Sequence, residues 1–216
     1  MLQVSAVEEN TFSLLSRLMQ EPLLDGSRLV GGTSLALQLG HRKSTDLDFF
    51  SFEAPDIESI VSLFSEKYGY TAQFINAKST IGYIEGIKID VIYHPFQWLE
   101  DAYVEDGIRL AGLADIAAMK MHAIANSGQR PKDFVDIAYL SRRFSYNRIR
   151  ELALKKYPMY DPIMFDKAII YFGDIIPDAI DNIKMIGADM NWEKIESRII
   201  KMTNQPDSVF RTAPLP

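Results

Sequence analysis

The sequence predicts an α/β protein of the α+β kind, a mixed sheet with flanking helices followed by a helical C-terminal region. Strand and helix patterns alternate over roughly residues 1–100. Beyond His94-Pro95 the periodic stretches are helical. Of the 216 residues 47% are hydrophobic and 24% charged, enough apolar material for a core without disulfide or metal staples. The reading divides the chain into an α/β core, residues 1–100, and a helical region, residues 101–216.

Each element has a local reason. Val7, Thr11, Leu14, Leu15 and Leu18 form one helical stripe within Val4 to Gln20, ended by Pro22 and Gly26. Ser27 to Val30 reads as a short strand running into Gly31-Gly32. From Thr33 a helix is expected, with Thr33 or Ser34 as its N-cap and Gly40 past its end. Asp46 to Phe52 alternates as a strand does. Asp56 to Lys67 is amphipathic through Ile57, Ile60, Val61 and Phe64, and closes near Gly69. Tyr70 to Asn76, Thr80 to Glu85 and Ile87 to Tyr93 read as strands, the last two joined as a hairpin across Gly86.

The second half predicts helices at Leu113 to Asn126, Pro131 to Leu140, Tyr146 to Lys156, Pro162 to Phe172 and Trp192 to Met202, with a weaker pattern at Ala179 to Ile186. Pro131 suits a first helical position, where its missing N–H costs nothing. The tail, residues 205–216, holds three prolines and is expected to be loose.

Composition narrows the function. The net charge of −6 argues against nucleic-acid binding through the overall field, but not against a local basic patch. The absence of cysteine excludes a disulfide scaffold or a thiolate zinc site and fits a reducing compartment. Acids stand where a signal peptide would carry bases, and no apolar run approaches the ~18 residues of a membrane span. A cytoplasmic protein with no membrane partner is expected.

The chemistry concentrates between Leu29 and Phe52. Asp46 and Asp48, two apart in a strand, leave one face roughly 6.5–7 Å apart. Like charges at that distance repel by roughly 2–3 kcal/mol at an effective dielectric near 20. A divalent cation would turn that repulsion into coordination, although Asp46 also suits a plain strand start. Gly31-Gly32-Thr33 sits between a strand and a helix start, where backbone N–H groups approach a phosphate; such a turn is often only a turn. Asp90 and Lys88 share the polar face of a later strand. If that strand neighbours Asp46–Phe52, three acids converge as two-metal phosphoryl transfer requires.

The run GGTSLALQLGHRKSTDLDFFSF resembles the AbiEii/AbiGii-type toxin branch of the nucleotidyltransferase superfamily. Its signature, Gly-Gly-Thr-x-Leu-Ala-Leu and then His-Arg-x-Ser-x-Asp-x-Asp, falls here on Gly31, Gly32, Thr33, Leu35, Ala36 and Leu37, then on His41, Arg42, Ser44, Asp46 and Asp48. The third acid falls on Asp90. A later element, Lys-x-x-Ala and Lys/Arg-Asp-x-x-Asp, falls on Lys120 and Ala123, then on Lys132, Asp133 and Asp136. These motifs span roughly residues 28–140, leaving 145–216 uncovered.

The resemblance implies a minimal nucleotidyltransferase core that uses Mg²⁺ or Mn²⁺ and a nucleoside triphosphate (NTP). It implies metal binding by Asp46, Asp48 and Asp90, and catalysis by these with Lys120 and Asp133. Nucleotide contacts are implied for Gly31, Gly32, Thr33, Arg42, Ser44, Lys120 and Lys132. It further implies a bacterial toxin with a cognate antitoxin, and an RNA end or a protein as acceptor.

The residues allow plainer readings as well. Lys120 fits a lysine snorkelling from an apolar helix. Asp133 suits a helix N-terminus, and Lys132 is there either for a ligand or to pair with Asp136. His41, His94 and His122 lack metal-ligand spacing, and His122 reads as a core or surface histidine. Tyr157, Tyr160, Tyr171, Phe165 and Phe172 could stack bases, but at helical spacing such residues are more often core. Arg142, Arg143, Arg148, Lys155 and Lys156 form either an RNA-binding patch or a solvated face. The competing functions are a small-molecule nucleotidyltransferase of the antibiotic-modifying type and a non-catalytic partner-binding protein with this fold.

Overall fold

The computed structural model describes residues 1–215. They fall into two compact units: the first comprises Met1–Gly40 and Ser44–Gly112, the second His41–Lys43 and the chain from Leu113 onward.

The first unit is built on one seven-stranded mixed sheet. Its strands are β1 (Ser27–Leu29), β2 (Leu47–Ser51), β3 (Thr71–Asn76), β4 (Ser79–Ile84), β5 (Ile87–Tyr93), β6 (Tyr103–Glu105) and β7 (Ile108–Leu110), in the order β3-β4-β5-β2-β1-β7-β6. β2 pairs antiparallel with β1 and parallel with β5. Alternation does the sorting: Leu47, Phe49, Ile89 and Val91 are fully buried, while the residues between them leave the other face. The buried side joins Leu14, Leu15 and Leu18 of helix α1 (Glu9–Leu18) and Ile57, Ile60 and Phe64 of α3 (Ile57–Tyr68) in one apolar core. Asp56 caps α3 by accepting the Ser59 N–H at 3.1 Å.

Several boundaries differ from the expected ones for physical reasons. The first stripe splits into a short 3-10 turn, Val4–Ala6, and α1. Helix α2 (Gly31–Leu39) begins at Gly31 rather than Thr33, because Gly31 adopts φ +68° and turns the chain directly into the helix. Thr33 is therefore inside the helix and no N-cap. β6 and β7 were not anticipated: three residues each, they flank an Asp106-Gly107 turn with positive φ at both positions. Leu110 pairs with Leu29 of β1, so the first unit runs on to Gly112, past the boundary expected at residue 100.

The second unit is helical. α4 (Leu113–Asn126) packs against α5 (Pro131–Leu140), α6 (Tyr146–Lys156) and α7 (Pro162–Ala168), and α5 packs against α9 (Trp192–Asn204). α8 (Pro177–Asp181) is short because residues 184–186 turn to backbone pairing with 41–43: Lys43 N–H donates to the Lys184 carbonyl at 2.8 Å, and Ile186 N–H to that of His41 at 3.0 Å. The tail expected to be loose is anchored over its described residues. Phe210 N–H donates to the Ser141 carbonyl at 2.9 Å, Arg198 reaches the carbonyls of Thr212 and Ala213, and Leu215 is buried. Pro216 lies outside the described residues. Among those described, no helix is long and apolar enough to cross a membrane.

Candidate active site

The parallel pairing of β2 with β5 sets Asp48 directly against Asp90. Neighbouring strands lie about 4.8 Å apart and paired residues share a face, so two carboxylates 42 residues apart in sequence stand side by side. Continuing that register back by one residue sets Asp46, just before β2, against Lys88. Asp90 is buried at 8% exposure, Asp48 is half-buried and Asp46 is exposed.

Lys88 is the cation of this face. Its ammonium donates to both Asp90 oxygens, at 2.7 and 2.6 Å. Partial burial pushes its pKa down. The bond to Asp90 and the charges of Asp90, Asp48 and Asp46 outweigh this and hold it above the ordinary lysine range.

The start of α2 adjoins these acids. A Cβ on Gly31 would stand 2.5 Å from Asp48 Oδ2, so the carboxylate packs where only glycine leaves room, and the positive φ demands glycine independently. Gly32 is the next residue of the opening turn, and no side chain of the N-cap residue Val30 caps the helix. Thr33 is buried, and its hydroxyl donates to the Asp46 carbonyl and lies 2.9 Å from Ser44 Oγ, tying the helix to the segment that leads into β2. A hollow of about 280 Å³ opens beside Asp46 and Lys88, walled by Glu8, Tyr83 and Glu85 among others. Two larger hollows, about 500 and 420 Å³, contain none of these acids.

Among the described residues no three His, Cys, Asp or Glu side chains are drawn close enough together to hold a metal ion. The donor set nevertheless fits a hard divalent cation in kind. Its ligands are all oxygen, Asp48 and Asp90 are adjacent, and a positive group already stands on Asp90.

The remaining charged candidates lie in the second unit, in a sealed network centred on Asp136. Arg42 grips both Asp136 oxygens, Nε at 2.7 Å and Nη2 at 2.8 Å, and the His41 Nε2 is 2.8 Å from Oδ1. Lys120 Nζ bridges Asp136 at 2.6 Å and Asp133 at 2.7 Å. Burial alone would raise the Asp136 pKa, but Arg42 and Lys120 hold its carboxyl well below the usual range. Burial likewise disfavours charge on Lys120, yet Asp133 and Asp136 keep its ammonium above the ordinary range. Burial lowers the His41 pKa and prevails over Asp136, and Nδ1 has no hydrogen-bond partner among the described residues, consistent with a neutral ring. Arg42, Lys120 and Asp133, expected at the nucleotide, thus stand in buried ion pairs. Lys132, in the first turn of α5, is exposed and pairs with neither Asp136 nor any other described acid.

Other candidates resolve into structure. Tyr157 is buried and stacks on His122 at 4.0 Å, and Phe165 is buried; Tyr160 and Phe172 are half-buried and Tyr171 is exposed, so the core reading fails for Tyr171. Lys156 forms a fully buried pair with Asp115 at 2.8 Å, which removes it from any basic patch. Arg142, Arg143, Arg148 and Lys155 are exposed. Sequence reasoning noted that Lys88 shares a face with Asp90 but gave it no part. Its position two residues before Asp90 on an alternating strand was the available signal. Asp136 was marked by the Lys/Arg-Asp-x-x-Asp element, but its pairing with Arg42 and His41, 94 and 95 residues away, had no local signal.

Comparison with known proteins identifies the family and the fold. The profile of the nucleotidyl transferase AbiEii toxin family, type IV toxin–antitoxin system, matches residues 13–213 and so takes in all but the last three residues of the part that the motifs left uncovered. Protein aq_aa25 of Aquifex aeolicus (strain VF5), described as uncharacterized, is 32% identical over 174 residues, 78% of this chain and 82% of that one. JHP933 of Helicobacter pylori shares the fold with a TM-score of 0.56 at 17% identity, covering 93% of each chain. A putative nucleotidyltransferase from H. pylori does so with a TM-score of 0.56 at 15% identity, covering 93% of this chain and 96% of that one. With its glycine-opened helix set against paired acids on a mixed sheet, this chain belongs to the AbiEii nucleotidyl transferase toxin family and is a nucleotidyltransferase.

Proposed function

We propose that this chain transfers a nucleotide from an NTP to the hydroxyl of an RNA end or a protein side chain, as the toxin of a cytoplasmic toxin–antitoxin pair. The observation that carries this reading is the register of Asp48 against Asp90 beside Gly31. Asp48, Asp90 and Asp46 would hold the Mg²⁺ or Mn²⁺. When bound, that ion would offset the charge of the triphosphate and of the transition state. The opening turn of α2, Gly31, Gly32 and Thr33, with Ser44, would receive triphosphate oxygens on backbone N–H groups and the Ser44 hydroxyl. Asp90 would accept the proton of the attacking hydroxyl as its oxygen bonds to the α-phosphorus, while the bond to the β-phosphate breaks and pyrophosphate leaves. Lys120, Asp133 and Arg42 are committed to the buried network around Asp136 and would hold the fold of their own unit, whereas Lys132 is exposed.

The test is thermal unfolding with each of the four NTPs, with and without Mg²⁺, in wild type and Asp48→Ala. A Mg²⁺-dependent rise for one NTP, absent from the variant, supports the site and names the donor. At a hundredfold excess over Kd the gain is about 2.7 kcal/mol. No rise with any NTP overturns the reading. Incubation of the shifting NTP, radiolabelled, with total RNA and with protein then distinguishes the acceptors.

A further inference from the structure

Lys88 is an unusual neighbour for a metal-binding carboxylate. It lies two residues before Asp90 on β5, on the same face, and its ammonium engages both oxygens of that side chain. The register sets it against Asp46, and Tyr83 pairs with it from β4. A divalent ion on Asp90 would share one carboxylate with this ammonium, and two cations on one carboxylate repel each other strongly. The two residues differ in their freedom to yield. The Asp90 side chain is 10% exposed on a short stem, whereas that of Lys88 is 34% exposed on a flexible four-carbon stem. The hollow of about 280 Å³ borders Lys88 and is lined also by Glu8 and Glu85, the latter paired with Arg17 at 3.1 Å.

We propose that Lys88 is a resident counter-cation that holds Asp90 in the metal-free protein and must swing away before a divalent ion loads, so that it sets the metal affinity of the site. The inference rests on the reading of Asp48 and Asp90 as metal ligands. With the ammonium in place the charge of Asp90 is offset, which lessens the repulsion among the three acids without metal. A divalent ion arriving with a triphosphate displaces the ammonium, and the hollow receives it. Lys88 is in this sense a positioning residue, because it acts on the reaction through Asp90.

The experiment is Mn²⁺ titration of the full chain without nucleotide, reading free Mn²⁺ by electron paramagnetic resonance. The proteins are wild type, Lys88→Met, Lys88→Arg and Asp48→Asn. If Lys88 holds Asp90 in nine molecules of ten, its removal tightens the apparent affinity about tenfold. Lys88→Met is therefore expected to bind Mn²⁺ about tenfold more tightly than wild type, and to melt lower without metal but rise further with it. Lys88→Arg, which keeps a cation on Asp90, is expected to bind no more tightly than wild type. Lys88→Gln supplies a second neutral variant should Lys88→Met fail to fold. Equal or weaker Mn²⁺ binding in the neutral variants, with binding lost in Asp48→Asn, overturns the role of Lys88 and leaves the metal reading standing. Absence of Mn²⁺ binding in wild type and neutral variants alike overturns both.

Discussion

The two units each gather acids around cations, yet they do so under opposite solvent conditions. In the second unit Asp136, Arg42, His41, Lys120 and Asp133 are all under 10% exposed. In the first, Asp46 is exposed and Asp48 and Lys88 are half-buried, with only Asp90 close to sealed. Removing one partner from a sealed network strands a charge in a low dielectric, so such a network is committed to holding its segments together. Charges that keep contact with water exchange partners at small cost, which is what a site that loads and releases a metal and a triphosphate requires. The second unit's network is built to stay closed; the first unit's face keeps its charges in reach of water.

The largest expected effect tests the sealed side. Asp136→Ala leaves Arg42 and Lys120 buried without their shared acid and should cost about 3–5 kcal/mol in urea unfolding. A cost under about 1 kcal/mol would place this network with the exchangeable charges.

Acid should act on the same network next. The His41 pKa is lowered in the fold, so the unfolded chain takes up the proton first and stability declines as pH falls below about 6.5. The Asp136 pKa is also depressed. Its contribution is fully present above the unfolded value near 3.9 and is lost as pH falls through the folded value. Urea midpoints should therefore fall gently below about pH 6.5 and steeply below about pH 4. The gentle part should shrink in His41→Gln, and what remains belongs to His122, whose pKa burial also lowers.

Gly31→Ala tests the junction of α2 with the acids. The left-handed backbone costs a residue with a Cβ roughly 1–2 kcal/mol, and the Cβ would also displace Asp48. The expected outcome is a stability loss of that size together with loss of the Mg²⁺-dependent NTP shift.

The smallest effect on stability falls on the exchangeable side. Asp48→Asn should change the urea midpoint by less than about 1 kcal/mol while abolishing the NTP shift. If Asp48→Asn instead unfolds the protein as Asp136→Ala does, the contrast between the units disappears.

Much of the fold was legible because local pattern and burial agreed. α4, α5 and α6 run from Leu113, Pro131 and Tyr146 as their periodicity and Pro131 indicate. β6 and β7 escaped because three residues are too few to display alternation, although the Asp106-Gly107 turn was available. The α2 start was misplaced because a threonine that resembles an N-cap is bonded instead to Ser44 and to the Asp46 carbonyl, contacts eleven and thirteen residues away. The weak helix near residue 186 gave way to pairing with residues 41–43, far away in sequence.

The candidate site divides in the same manner. The sequence by itself determined the identity of the acids, the alternation that puts Lys88 and Asp90 on one polar face of a strand, and the glycines that open α2. These depend on short spacings and on the conformational freedom of single residues. Only the tertiary structure decided that β2 lies beside β5, which brings Asp48 to Asp90. It also decided that Gly31 leaves room for the Asp48 carboxylate, and that Lys120 and Arg42 close on Asp136. Sheet order and buried ion pairing join residues distant in the chain, and their energies depend on register and solvent exclusion, neither of which any local stretch of sequence encodes.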